Sequence, residues 1–200
     1  MDSFVKRLAQ HLMQRKNNYA LMLAPNIRSL PAQIQKYDEP FFPFGREVIK
    51  ATHDLISVYV FDLASYLALG AAGGIALERT MRFVGNDAIC ILHGPFSGSG
   101  YTVLFEETAL DVDAVTLTSS QHLDAYLQRN ERTAFVLHRL FPDFLPERGG
   151  IYVPQNGLFA MRAGEDNLTF NLLGTASELA GTGEQFRQQL RHYVESRNEL

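Results

Sequence analysis

Three polar side chains that can transfer protons or bind a metal ion follow apolar runs at separate places in the chain. Asp62, His93 and His138 each stand where the sequence predicts the end of a strand. Two histidines and a carboxylate can hold zinc or act as an acid–base set. The three residues come from different strands, and no short ligand spacing links them. The sequence therefore favours the plainer interpretation, in which each one is a loop-end residue bonded to backbone.

Other polar residues occupy comparable places at predicted strand ends and are also candidates for ligand binding. They are Asn26, Ser119, Ser120 and Arg139. None of them belongs to a motif with a fixed spacing, so their chemistry depends on whether the fold brings them together.

The elements that would position these residues alternate along the chain. Apolar runs predict strands at 20–24, 56–61, 88–92, 114–118 and 133–137. Segments predicted as helices lie between them, including 64–83 and 121–129, whereas 40–44 is predicted as a loop and 32–36 as a short helix. Alternation of helices with strands that are apolar on both faces predicts an α/β fold with a parallel sheet.

The alternation ends after Arg139. Short strands are predicted at 151–153, 158–161 and 168–172, and a polar helix at 184–197. The segment between Arg139 and Leu168 has room for hairpins but not for two strand–helix units. No linker is long enough to separate domains, so residues 1–200 are predicted to form one domain.

Composition and charge limit the classes of function. A net charge of −4 with scattered Lys and Arg argues against nucleic-acid binding. The polar N-terminus argues against a signal peptide, and the apolar stretch 56–76 changes period midway, which argues against a membrane span. The lone cysteine, Cys90, lies in an apolar run and is predicted to be a buried, inert thiol in a reducing compartment. The sequence thus predicts a cytoplasmic protein with no membrane partner.

Three parts of the chain carry a family resemblance. Residues 57–80, SVYVFDLASYLALGAAGGIALERT, resemble the second strand and following helix of the orotidine 5′-monophosphate decarboxylases of the long bacterial branch. DAVTLT at 113–118 and FVLHR at 135–139 are similar to that family's DAVTVN and FVLCR segments, and 171–181 resemble its terminal strand and phosphate loop. The resemblance implies a (β/α)₈ barrel, normally dimeric, whose site lies at the C-terminal ends of the strands and uses no cofactor.

The same resemblance places different residues where the family has its catalytic charges. The strand-two lysine falls on Val60. The family's Asp-x-Lys-x-x-Asp motif falls on residues 93–98. His93, Pro95 and Gly98 therefore stand in place of its three charged residues. Valine, proline and glycine cannot carry a proton between donor and acceptor. The resemblance therefore implies that decarboxylation is lost.

The groups that hold the nucleotide in the family are changed as well. Its ribose-binding aspartate falls on Ala24 and its phosphate-binding arginine on Gly174. We therefore expect a non-catalytic barrel with a binding, structural or regulatory role. Its expected partner is a second copy of the chain or a catalytic paralogue.

Two other functions stay open. One is an enzyme of different chemistry that uses Asp62, His93 and His138, and the other is residual decarboxylation in pyrimidine metabolism. A complete barrel of this type needs about 250 residues. With 200 residues, the expected fold is a (β/α)₈-like barrel that is shortened or distorted in its C-terminal third.

Two single residues have structural roles implied by the resemblance. Asp62 matches a family asparagine and is predicted to cap the helix that begins near Ala64. Arg139 matches the arginine of FVLCR, for which a structural ion pair is expected.

Overall fold

Eight strands form a closed barrel in the computed structural model, which describes residues 3–143, 145–175 and 183–196. The strands are β1 (Tyr19–Leu23), β2 (Val58–Asp62), β3 (Ile89–Phe96), β4 (Ala114–Leu117), β5 (Thr133–Leu137), β6 (Gly150–Val153), β7 (Leu158–Ala163) and β8 (Asp166–Thr175). The helices are α1 (Phe4–Arg15), α2 (Phe41–Thr52), α3 (Leu63–Leu67), α4 (Gly70–Val84), a 3₁₀ helix (Ser99–Phe105), α5 (Leu123–Tyr126) and α6 (Gly183–Ser196).

The strands pair in chain order, and two kinds of pairing divide the barrel. From β1 to β6 each strand runs parallel to the next. Strand β7 is antiparallel to both neighbours, and β8 then returns parallel to β1 and closes the ring. The α/β barrel and its altered C-terminal third are confirmed, because the last three strands form a meander without helices between them.

Helix α1 covers the N-terminal end of the barrel. Its residues Phe4, Leu8 and Leu12 recur at helical spacing, and all three are buried against the side chains inside the barrel. The hydroxyl of Ser3 accepts a hydrogen bond from the amide of Lys6 and caps the first turn. The apolar side of α1 therefore seals the end of the barrel away from the candidate site.

A buried carboxylate holds this cover in place. Asp113 pairs with Arg7 of α1 at 2.8 Å and with Arg132, which precedes β5, at 3.2 Å. Its second oxygen accepts a hydrogen bond from the amide of Cys90. These contacts join α1 to the segments at the start of β3, β4 and β5.

Aromatic rings from the meander fill the barrel axis. The rings of Tyr152 and Phe159 stack 4.1 Å apart, and Phe159 stacks on Phe170 at 4.8 Å. Phe135 meets the ring of Phe159 edge-on at 5.1 Å. The distances of Phe159 from Phe170 and from Phe135 lie in the range in which aromatic pairs attract beyond their burial, and Tyr152 packs on Phe159 more closely still. The interior is therefore a packed aromatic column.

The meander also differs from the other strands on its outer face. Strands β1 to β5 are apolar on both faces because helices cover them. Strand β8 instead alternates, with Phe170 buried inside and Asn167 and Asn171 exposed outside. Polar outward residues allow β8 to face water where a barrel of strand–helix units would carry a helix.

Two predicted elements near the second helix are wrong. The segment 40–44, predicted as a loop, is the first turn of α2, because Pro43 lies where the missing amide is tolerated and Glu39 accepts from the amides of Phe41 and Phe42. The short helix predicted at 32–36 is a turn closed by hydrogen bonds to the carbonyl of Pro31.

The predicted helix 64–83 is divided into α3 and α4. Gly70 has a φ of 62°, a left-handed conformation that interrupts the helix. After this break the backbone of Gly73 lies against the carbonyl of Tyr66, where a Cβ would lie 1.7 Å from the oxygen. The glycines of this segment therefore permit a tight junction rather than a continuous helix.

Gly150 tests how closely the aromatic column is packed. A Cβ there would lie 2.5 Å from Cδ1 of Phe135 and 2.8 Å from the carbonyl oxygen of Ala160. We expect Gly150→Ala to lower the free energy of unfolding by about 1–3 kcal/mol in chemical denaturation. Gly74→Ala is the matched control, since its Cβ would meet nothing within 4 Å and alanine favours the helix. Equal stability of both variants would contradict this packing.

Candidate functional site

The C-terminal ends of β2 and β3 bring two of the predicted site residues together. Asp62 and His93 are register partners at the ends of these strands. Nδ1 of His93 lies 2.9 Å from the hydroxyl oxygen of Thr116 on β4, and its ring meets that of Tyr152 edge-on at 5.6 Å. These contacts place the imidazole over the end of the aromatic column.

Burial determines the protonation state of this histidine. It lowers the pKa of His93 below its ordinary value, and the negative charge of Asp62 only partly offsets the effect. Burial also raises the pKa of the Tyr152 hydroxyl beneath it. At neutral pH the site therefore presents an uncharged imidazole beside a carboxylate, which can accept a proton or a hydrogen bond.

The carboxylate of Asp62 caps the helix that follows it, α3. Its Oδ2 accepts hydrogen bonds from the amide of Ser65 at 2.9 Å and from the Ser65 hydroxyl at 2.5 Å. The predicted helix cap is confirmed, with α3 beginning at Leu63. The carboxylate is thus held in one orientation by local contacts.

His138 does not join this pair in a cluster. Its side chain is exposed, and its backbone amide donates to the carbonyl of Tyr152 at 2.8 Å. Among the described residues, no group of three His, Cys, Asp or Glu side chains could hold a metal ion. The structure thus brings together two residues of the three-residue set.

The remaining candidates make local contacts or none. The side-chain oxygens of Asn26 and Ser119 accept hydrogen bonds from the amides of Arg28 and Gln121, two residues further along. Arg139 is exposed, and the ion pair expected for it is absent from the described part of the chain. These three residues therefore form no common site in this structure.

The positions at which the resemblance places changed residues lie around the same barrel end. Val60 is fully buried in the interior next to Ile91 of β3, its register partner. Pro95 is exposed, and the carbonyl of Gly98 accepts a hydrogen bond from the hydroxyl of Tyr126. Gly174 has a φ of 114° near the end of β8. No charged side chain comes from these positions.

Two residues of the site were missed by the sequence analysis. Thr116 is the one polar residue of the apolar strand β4, and its burial next to His93 could have been inferred from that contrast. Tyr152 lies in a predicted strand, but nothing in the sequence shows that its ring reaches the histidine of a distant strand. Cys90 is buried as predicted, and burial raises the pKa of its thiol.

The comparisons with known proteins agree with this architecture. No family model matches the chain. It is 32% identical over 145 residues to the orotidine 5′-phosphate decarboxylase of Thermomicrobium roseum, a match that covers 68% of this chain and 51% of the relative. The chain spans about half the length of the curated relatives it matches.

Solved structures have the same fold. A Toxoplasma gondii structure described as an orotidine-monophosphate-decarboxylase superposes with a TM-score of 0.62 at 22% identity, over 70% of this chain and 50% of that one. The Leishmania donovani OMP decarboxylase gives 0.57 at 19% identity, over 71% and 56%. The chain is thus an α/β barrel with its candidate site at the C-terminal ends of the strands. The sequence matches further support homology with the orotidine 5′-phosphate decarboxylases.

In the described residues no helix is long and apolar enough to cross a membrane.

The histidine at the site makes stability depend on pH. Burial lowers the pKa of His93, and burial together with Arg15 and Arg7 lowers that of His11 on α1. The unfolded chain, with histidine pKa values of about 6.5, binds these protons first as the pH falls. Stability is therefore complete above about pH 6.5 and is lost as the pH falls from there toward the lower folded pKa values.

We expect His93→Gln and His11→Gln each to flatten the decline in the free energy of unfolding between about pH 7 and pH 5. The measurement is urea denaturation at a series of pH values. His122→Gln, at an exposed position, is the control and should leave the slope unchanged. If the free energy of unfolding still declines as steeply with falling pH in both variants, groups other than these two histidines cause the pH dependence.

Proposed function

We propose that this chain is a non-catalytic relative of the orotidine 5′-phosphate decarboxylases that acts by binding. The observation that carries the proposal is the filled barrel axis. The side chain of Val60 is buried where the resemblance places a lysine, and His93 packs on Tyr152 above the aromatic column. A reaction whose transition state carries charge needs oriented charges or hydrogen-bond donors at this place. The side chains of Val60 and of the phenylalanines in the aromatic column supply neither.

The altered nucleotide-binding positions support the same proposal. Ala24 and Gly174 bear no charge, and β8, the strand that carries Gly174, is paired antiparallel with β7. Arginine–phosphate pairs are among the stronger charge-assisted contacts, so loss of one weakens nucleotide binding markedly.

A different reaction is the second candidate, favoured by the pairing of Asp62 with a neutral His93. Such a pair can accept and return a proton. Exposed His138 lies outside it, so this candidate now depends on two residues and on Thr116.

Decarboxylation is the direct test. The purified protein should release no carbon dioxide from orotidine monophosphate above background, and calorimetry should detect no micromolar binding of uridine monophosphate. The Thermomicrobium roseum relative serves as the positive control in both assays. Turnover that persists after removal of trace host enzyme would refute the non-catalytic role, and micromolar binding alone would refute the proposed loss of the nucleotide site.

We also propose that the protein is a cytoplasmic homodimer, with a catalytic paralogue as the alternative partner. Exposed apolar side chains occur in the segments that follow β1, β2, β3 and β5, and all these segments begin at the same end of the barrel. They include Ile27, Leu67, Tyr101, Val103, Leu140 and Phe141. Apolar side chains in this number at one end of a protein favour association with a partner.

Light scattering should give the mass of two 22.5 kDa chains at micromolar concentration. The double variant Tyr101→Asp, Val103→Asp should give the mass of one, because these side chains are 47% and 55% exposed and their loss leaves the core intact. A substitution of Phe96, at the end of β3, would not test the interface, because this side chain is buried inside the monomer. Exposed Met13→Asp on α1, at the other end of the barrel, is the control. A wild-type monomer would refute the dimer, and a dimeric double variant would move the interface elsewhere.

A further inference from the structure

An open groove of about 660 Å³ lies at the N-terminal end of the barrel, away from the candidate site. One wall is formed by the C-terminal half of α1 and the turn into β1, and the other by β8. Its volume is within the range of small-molecule sites in proteins. We propose that this groove binds a neutral carbohydrate, a ligand with many hydroxyl groups and no charge. This binding is independent of the function proposed for the opposite end of the barrel.

The groove contains polar side chains that the fold does not use. Asn167, Thr169 and Asn171 alternate along β8 and therefore lie on one face of it, about 7 Å apart along the strand. Asn18 precedes the neighbouring strand β1, and its carbonyl accepts a hydrogen bond from the backbone amide of Asn171 at 2.7 Å. All three asparagines are exposed, and none of the four side chains forms a hydrogen bond with a described residue. The groove thus offers three accessible side-chain amides and a hydroxyl group.

The wall beside these amides is held in a fixed shape. The side-chain nitrogen of Asn17 donates to the carbonyls of Arg15 and Leu55 at 3.2 and 2.7 Å. Its Oδ1 accepts a hydrogen bond from the amide of Tyr19 at 3.1 Å, so the turn between α1 and β1 is fixed. Tyr19 is in turn the register partner of Asn171 and lines the same groove. A site built on fixed strands loses little conformational entropy when a ligand binds.

The chemistry of the groove suits hydroxyl groups. A side-chain amide has an acceptor oxygen and two N–H donors, so it can pair with two adjacent hydroxyls, each of which can donate and accept. Among the described residues that line the groove, Lys16 is the one charged residue and no carboxylate occurs. A ligand that depends on its own charge therefore finds little to pair with. Tyr19, Leu168 and Met13 add apolar surface for the C–H face of a sugar ring.

Exposure to water does not by itself account for asparagine at these positions. Asparagine is depleted in strands, whereas threonine favours them and is also compatible with solvent. Asn167 and Asn171 therefore lower the stability of β8, and no side-chain contact with the described residues offsets this cost. Departures from local preference of this kind are expected at functional sites. A bound ligand gives these two amides a role that the strand does not.

Four neutral trisaccharides test the class of ligand: maltotriose, cellotriose, mannotriose and chitotriose. Their binding to the full chain is measured by saturation-transfer NMR and by calorimetry. We expect at least one of them to bind with a Kd below about 1 mM. Glycerol and N-acetyl-trialanine amide, at the same concentrations, should not bind. Failure of all four sugars overturns the proposal. Equal binding of the peptide, which would mean recognition of a peptide backbone, or an equal effect of glycerol overturns it as well.

Two variants then locate the site. Asn167→Thr and, independently, Asn171→Thr should each weaken sugar binding by about fivefold or more, because a hydrogen bond to the ligand is lost. Neither should lower the midpoint of urea denaturation, since threonine favours strands. Gln155→Thr, which replaces an exposed amide in the turn after β6, is the matched control and should leave binding unchanged. Undiminished binding in both variants overturns the proposal. A lower midpoint in both would show that the fold itself uses these amides and would overturn it too.

Discussion

Stacking of three aromatic rings across β6, β7 and β8 is the interaction on which the rest of the structure depends. A barrel must return its last strand to its first, and here this is done by an antiparallel meander instead of further strand–helix units. Antiparallel strands place facing residues close together, and the rings of Tyr152, Phe159 and Phe170 use that proximity to fill the axis. The same aromatic contacts therefore close the barrel and pack its core.

The filled axis also determines what the candidate site can do. His93 contacts the end of the aromatic column. Its position between Tyr152 and Thr116 keeps the imidazole partly buried and uncharged. Asp62 is held by Ser65 instead of facing an open cleft. The polar groups that remain at this end of the barrel are thus used mainly in holding the structure together, which fits a role in binding better than one in turnover.

The sequence predicted the first five strands and the changed C-terminal third because these depend on local patterns. Runs such as those at 114–118 and 133–137 are apolar on both faces, and the alternation in β8 follows from its one dry face. The start of α2 was missed because its first turn is capped by Glu39, a contact that no periodicity reveals. The site was half predicted: adjacency of Asp62 and His93 follows from strand order, whereas the contact with Tyr152 depends on how a hairpin folds back.

The meander has a further consequence for the order in which the chain folds. Strand β7 meets β6 and β8 across turns of a few residues, whereas β1 meets β8 only when nearly the whole chain has been gathered. Loop-closure entropy grows with sequence separation, so local hairpins form sooner than distant parallel pairs. We expect the C-terminal hairpins to assemble early. The seam between Tyr19 and Asn171 would then be the last contact made and the first to open when the protein is stressed.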